Sequence, residues 1–123
     1  MSRVRSYHGW RSHGADGFRL RVRTHGLSLS QRELDTLLER LDASLDRGAR
    51  RIANVDITLS DINGPRGGED KRCRMWIKLE RRSTVAVSCR GLTIWEALSQ
   101  ALSAAQRRCH EHALAPWPWP DRS

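Results

Sequence analysis

Cations recur at every second position in two stretches of this 123-residue chain: Arg19, Arg21 and Arg23 in the first, and Arg72, Arg74 and Lys78 around Trp76 in the second. A guanidinium can donate two parallel hydrogen bonds to a phosphate, and a two-residue interval places such groups in a row along one face of an extended strand. The chemistry on offer is polyanion binding through backbone phosphates, with an affinity that falls as salt rises. Trp76, set among these cations, could stack on an unpaired base. Equally, the N-terminal arm or the tryptophan-rich tail could fold over it. The alternative for the whole cationic face is a solvated strand surface kept charged for solubility and edge protection. Further cations extend the set: Lys71, Arg81, Arg82 and Arg90 at its margins, and Arg66 in a glycine-rich loop whose amides could approach phosphate. Arg107 and Arg108 stand near the end of the last helical stretch, where the helix dipole alone would also favour them.

Other chemistries lack their residues. Ser83, Ser88, His25 and the scattered carboxylates form no nucleophile–base or paired-carboxylate constellation, so no catalytic residue and no enzymatic activity is expected. The Gly64–Gly68 loop has neither GKS/T nor GxGxxG and no following helix, which excludes a nucleotide-binding P-loop. Cys109, His110 and His112 resemble a metal corner, but adjacent helical residues do not share a face and no second ligand pair sits at zinc-like spacing. No metal, cofactor or small-molecule substrate is expected. Three cysteines without a CxxC pair read as free buried thiols.

The elements that must position the cations follow from periodicity. Alternation from Phe18 to Thr24 predicts a strand with Phe18, Leu20 and Val22 inward and arginine outward. From Ser30 to Arg47 the period becomes helical, with Leu34, Leu37, Leu38, Leu41 and Leu45 on one stripe, a Ser30–Glu33 capping box, a Leu29–Leu34 staple and Gly48 as a stop. A second strand runs from Ile52 to Leu59 with Ala53, Val55, Ile57 and Leu59 inward. Asn63-Gly64-Pro65 and Gly67-Gly68 mark a loop, after which Lys71–Glu80 and Thr84–Arg90 form a hairpin turning at 81–83. Its inward set is Cys73, Met75, Ile77, Leu79, Val85, Val87 and Cys89. Thr93 and Glu96 open a second helix carrying Ile94, Leu98, Ala101, Leu102, Ala105 and Cys109 inward, with Gln100, Ser103 and Arg107 opposite. The predicted fold is α+β, a two-layer β-α-β-β-β-α domain with both helices on one face of a four-stranded sheet, spanning residues 17–112. Residues 1–16 read as a flexible basic arm and 113–123 as a stiff proline–tryptophan tail.

Net charge is +8 with a pI near 10.9, unevenly distributed: residues 1–25 and 48–91 each carry +5, 26–47 carry −2, and the remainder is neutral. That footprint suits nucleic acid ahead of a membrane, since no basic amphipathic helix, lipidation motif, signal peptide or 18-residue apolar run is present. A cytoplasmic location is expected.

The string Asp61, Asn63-Gly64-Pro65, Gly67-Gly68, Asp70-Lys71, Cys73 resembles the loop and third strand of the ribosome hibernation-promoting factor and ribosome-associated inhibitor A family, and the order of elements is similar from Phe18 to His112. The resemblance implies a non-enzymatic stress-response protein that binds ribosomal RNA of the small ribosomal subunit in the mRNA–tRNA channel. It would thereby inhibit translation and preserve idle ribosomes. Lys71 matches the basic residue opening the family's third strand, Arg107 a basic residue late in its last helix, and Trp95, Ala97 and Leu98 its Tyr-x-Ala-Ile. Thr93 replaces the usual Asp while still able to cap, and Ala104 replaces a common Lys or Arg, removing one cation from that helix. Long members carry a second domain that pairs ribosomes; with the sequence ending about ten residues past the helix, a short form acting as a monomer is expected. The arm is longer than the family's usual start. Two other readings stay open: a general or double-stranded RNA-binding module, and an adaptor that docks a protein through its proline–tryptophan tail.

Overall fold

In the computed structural model the described residues are 3–13, 16–45, 52–62, 70–79 and 83–114. They form strands β1 (Arg3–Val4), β2 (Ser6–His13), β3 (Asp16–His25) and β4 (Leu29–Ser30), helix α1 (Gln31–Leu45), strands β5 (Ile52–Asp61), β6 (Lys71–Leu79) and β7 (Thr84–Gly91), and helix α2 (Ile94–Leu114). β2, β3, β5, β6 and β7 hydrogen-bond in that order into one mixed sheet, while β1 and β4 form a separate two-residue pairing. Only the β3–β5 step is parallel. A parallel step needs a crossover, and α1 supplies it.

The α+β class stands as predicted, but the sheet has five strands. The extra strand is β2, which falls inside the segment read as a flexible arm: Ser6–His13 pairs antiparallel with Asp16–Arg23. The arm is anchored again where the backbone carbonyl of Arg5 accepts from the Thr24 amide at 3.0 Å. Positive φ at Gly26 (75°) then turns the chain from β3 toward β4, a conformation in which a Cβ would be strained.

Both helix starts form as their sequences dictate. The Glu33 amide donates to Ser30 Oγ at 3.1 Å while the Ser30 amide donates to Glu33 Oε1 at 2.8 Å, a reciprocal capping box. At α2 the Glu96 amide donates to Thr93 Oγ1, and the Glu96 carboxylate accepts from the Leu92 amide, one residue upstream of the usual position. α1 ends at Leu45, and one of its last carbonyls, that of Ser44, accepts from the Gln106 side chain of α2. This contact ties the helices at the point where α1 would otherwise leave a carbonyl unsatisfied. The proposed Gly48 stop, the 81–82 turn, the Gly64–Gly68 loop and the proline–tryptophan tail lie outside the described residues.

One core lies between the layers. The five α1 leucines, the inward residues of β3, β5 and β6, and Ala97, Leu98, Ala101, Leu102, Ala105 and Cys109 of α2 are all buried within it. Each such leucine contributes about 1.5–3 kcal/mol through removal from water, so the stripe is what fixes which face of the sheet is dry. Val87, Cys89 and Ile94 are only half-buried against this core. Ala53 departs from the expected inward position because the β5–β6 register shifts between Ile52 and Asn54, and a bulge breaks the two-residue alternation. Gly91 permits a close approach of β7 to the start of α2: a Cβ there would sit 2.7 Å from the Ala97 amide nitrogen. Cys73, Cys89 and Cys109 are free thiols.

Candidate nucleic-acid interface

The sheet face away from the helices carries the alternating cations, and strand register arranges them in rows. Arg19 lies beside Asn54, then Lys78 and Thr84; Arg21 beside Asp56, then Trp76 and Ala86. Arg23 lies beside Thr58, then Arg74 and Ser88; His25 beside Ser60, then Arg72 and Arg90. Cations therefore form two columns, on β3 and β6, separated by the polar β5 column, or roughly 10 Å at two strand spacings. Along each column they repeat at roughly 6.5–7 Å. Thr58 and Ser60 are buried although they point to this face, which is accounted for by the long side chains flanking them in register.

Arg19, Arg23, Arg74, Lys78 and Arg90 are exposed there, and with Arg72 they have no ion-pair partner among the described residues. Arg72 is half-buried, and its Nε is enclosed without a hydrogen-bond partner, so its reach to a ligand lies in the terminal nitrogens. Asp56 is the one acid in these rows, and Arg21 Nε donates to its Oδ1 at 2.7 Å. With side chains 42% and 33% exposed, that pair adds at most about 1 kcal/mol of stability. It does offset the Arg21 charge.

Three of the predicted contact residues sit elsewhere. Lys71 shares the parity of buried Cys73 and donates to Asp70 Oδ1 at 2.8 Å, with Asp61 Oδ2 at 3.6 Å. The hydrogen bond to Asp70, with the nearby Asp61 charge, holds the Lys71 ammonium above its ordinary pKa against partial desolvation. Lys71 thus closes the base of the 62–70 loop, where the Ile62 amide also donates to the Asp70 carbonyl, and its charge is already committed. Arg107 is exposed on the outer side of α2, opposite the buried stripe of that helix and so in the other layer. Arg108 donates to the Ala86 carbonyl at 3.1 Å, reaching the outermost strand β7 and satisfying an acceptor on the sheet edge. Arg66, Arg81 and Arg82 lie outside the described residues.

Trp76 is 41% exposed in the middle of the face, and β2 of the N-terminal segment is held at the β3 edge of the sheet rather than over it. That segment brings residues the sequence reading missed. Trp10, 61% exposed, pairs with Arg19, and His8 with Arg21. His25 belongs to the face as well, and the parity of Arg19, Arg21 and Arg23 already implied it. Between Trp10 and Trp76 lies an open trough of about 870 Å³ with Arg19, Arg21, Asn54 and Asp56 on its lining.

No protein-family model matches the chain, and no curated protein matches it in sequence. Solved structures do match. The N-terminal domain of Protein Y from Thermus thermophilus superimposes with a TM-score of 0.59 at 14% identity, covering 76% of this chain and 93% of that one. A ribosomal subunit interface protein from Coxiella burnetii gives a TM-score of 0.59 at 11% identity, covering 76% and 98%. The chain shares the fold of these two proteins. At such identities the likeness establishes architecture, and it is the architecture implied by the sequence resemblance. Among the described residues, no helix is long and apolar enough to cross a membrane.

Proposed function

We propose that this protein is a ribosome-associated, non-enzymatic factor that binds ribosomal RNA of the small subunit and inhibits translation by occupying the mRNA–tRNA channel. The observation that carries this reading is the open sheet face, where, among the described residues, six cations without ion-pair partners share one surface with a single, already compensated acid. Such a surface suits a phosphate backbone, because forked guanidinium donors at strand spacing release condensed counterions without reading a base sequence. The shared fold with a ribosomal subunit interface protein supports the ribosome as the source of that backbone. Mechanism then needs no reacting group: cations hold the RNA while the folded body, backed by its leucine-striped helices, excludes other ligands.

Sucrose-gradient sedimentation of extract tests this directly. The wild-type chain is expected to co-migrate with small subunits or whole ribosomes at moderate salt, and the Arg72→Glu/Arg74→Glu/Lys78→Glu variant to stay at the top of the gradient. Equal retention of wild type by ribosome-free total RNA would favour a general RNA-binding module. Co-sedimentation that survives the triple reversal would refute the assignment of this face.

A further inference from the structure

We infer that the trough between Trp10 and Trp76 is a subsite for unpaired nucleotides, giving the protein a preference for single-stranded over double-stranded RNA. The inference rests on the RNA-binding reading above and narrows it to a ligand class. Two exposed indoles are costly to keep in water, and here both line the same concavity, one from β2 and one from β6. β2, β3, β5 and β6 are successive in the sheet, so the two tryptophans are three strand spacings apart at the backbone, roughly 14 Å. That width admits bases stacked against each wall and is too narrow to admit a duplex edge-on along with its two backbones.

The lining is ordered as a nucleotide is. Indole faces offer stacking surface that every base can use. Arg19 and Lys78 stand in the row of Trp10, at the lip where a backbone phosphate would pass. Asn54 lies between them and carries both amide donors and a carbonyl acceptor. Asp56, held in place by Arg21, keeps acceptor capacity for an exocyclic amine. In a duplex the Watson–Crick edges are paired and the base faces stacked, so neither is offered to Asn54 and Asp56 or to the indoles. The subsite exists only because the N-terminal segment is a strand; without β2 the floor would have one aromatic wall.

Fluorescence anisotropy of the full chain with labelled oligouridylate, oligoadenylate and a duplex of equal length tests the subsite. Single strands are expected to bind more tightly than duplex. Trp10→Ala and Trp76→Ala should each weaken single-strand binding about 5- to 150-fold, leave duplex binding and the salt slope unchanged, and be largely rescued by Phe at the same position. Neither side chain belongs to the buried core, so the variants should fold, with melting curves as the check. Single-strand affinity unchanged in the double Trp10→Ala/Trp76→Ala variant overturns the inference. If that variant and its parent still sediment equally with ribosomes, the proposed function survives the loss. Conversely, tryptophan-dependent binding of oligonucleotides by a chain that never co-sediments with ribosomes keeps the subsite and removes the ribosomal reading.

Discussion

Substituting Arg74 and Lys71 separately distinguishes a phosphate contact from a structural cation, although the two lie three residues apart on one strand. Arg74 is exposed on the open face, beside Thr58 on one side and Ser88 on the other, with no ion-pair partner among the described residues. Lys71 is held by Asp70 and Asp61. If each of Arg19, Arg23, Arg72, Arg74, Lys78 and Arg90 meets one phosphate, the logarithm of affinity should fall against the logarithm of salt with a slope of about −4.2 on single strands and about −5.4 on duplex. Between 50 and 200 mM salt that is a loss of about 300-fold and about 2,000-fold respectively. Arg74→Ala should flatten the slope by about 0.7 to 0.9, the share of one phosphate. Lys71→Ala should leave the slope unchanged, lowering affinity only through loosening of the Ile62–Asp70 junction once Asp70 loses its hydrogen-bonded ammonium. Binding isotherms at four or five salt concentrations with a structured ribosomal RNA fragment resolve such differences. Equal flattening by both variants, or none by Arg74→Ala, would show that the split between the open face and the loop base is mistaken.

Gly91→Ala should destabilise the protein by about 1–3 kcal/mol, seen as a lower urea midpoint, because the new methyl meets the Ala97 amide nitrogen at 2.7 Å and backbone cannot yield cheaply. Ser30→Ala should cost about 0.5–2 kcal/mol in the same measurement by removing the Oγ that caps α1. Burial pushes the Cys73 thiol up to about 12, with Cys89 opposite it adding to the shift, so Cys73 should resist alkylation at pH 8 until the chain unfolds. Because the unfolded thiol ionises first, near 9.0, the unfolded state binds fewer protons above that pH, and stability should decline from about 9.0 toward about 12. Thermal melts of wild type and Cys73→Ala across that range should show a shallower alkaline decline in the variant.

The parts of the fold legible in the sequence are those whose signal is local. The α1 leucine stripe, both capping residues and the alternation in β3 and β6 each report a face or a terminus within a few residues, and the core formed from them. β2 was illegible for a physical reason. On its helix-facing side stand Tyr7 and Gly9, and a Cβ at Gly9 would collide with the hydroxyl end of the Tyr7 side chain, so one aromatic covers two inward positions. Alternation counted residue by residue finds a gap there, while the pairing with Asp16–Arg23 that creates the strand is a property of two segments together. The surroundings of Lys71 were hidden for a similar reason: the register that sets Asp61 beside it cannot be seen from spacing alone. Arg108 looked like a helix-end cation until the edge of β7 came within its reach.

Charge is segregated between the layers in a way that bears on encounter as well as affinity. The stretch containing α1 carries −2 while the strand-bearing stretches on either side carry +5 each. α1 exposes Asp35 and Glu39 on the helical layer, and its Arg40 is drawn over the Trp95 ring of α2 at 5.2 Å, a contact that joins the helices. If the proposed polyanion is the partner, a molecule so divided would meet it sheet first, which would speed association and disfavour docking through α1. Arg107 stands on the outer side of α2, and Ala104 leaves that helix without the cation that the resemblance implied there. The β2 strand therefore does more than widen the sheet: it places Trp10 and His8 on the cationic side.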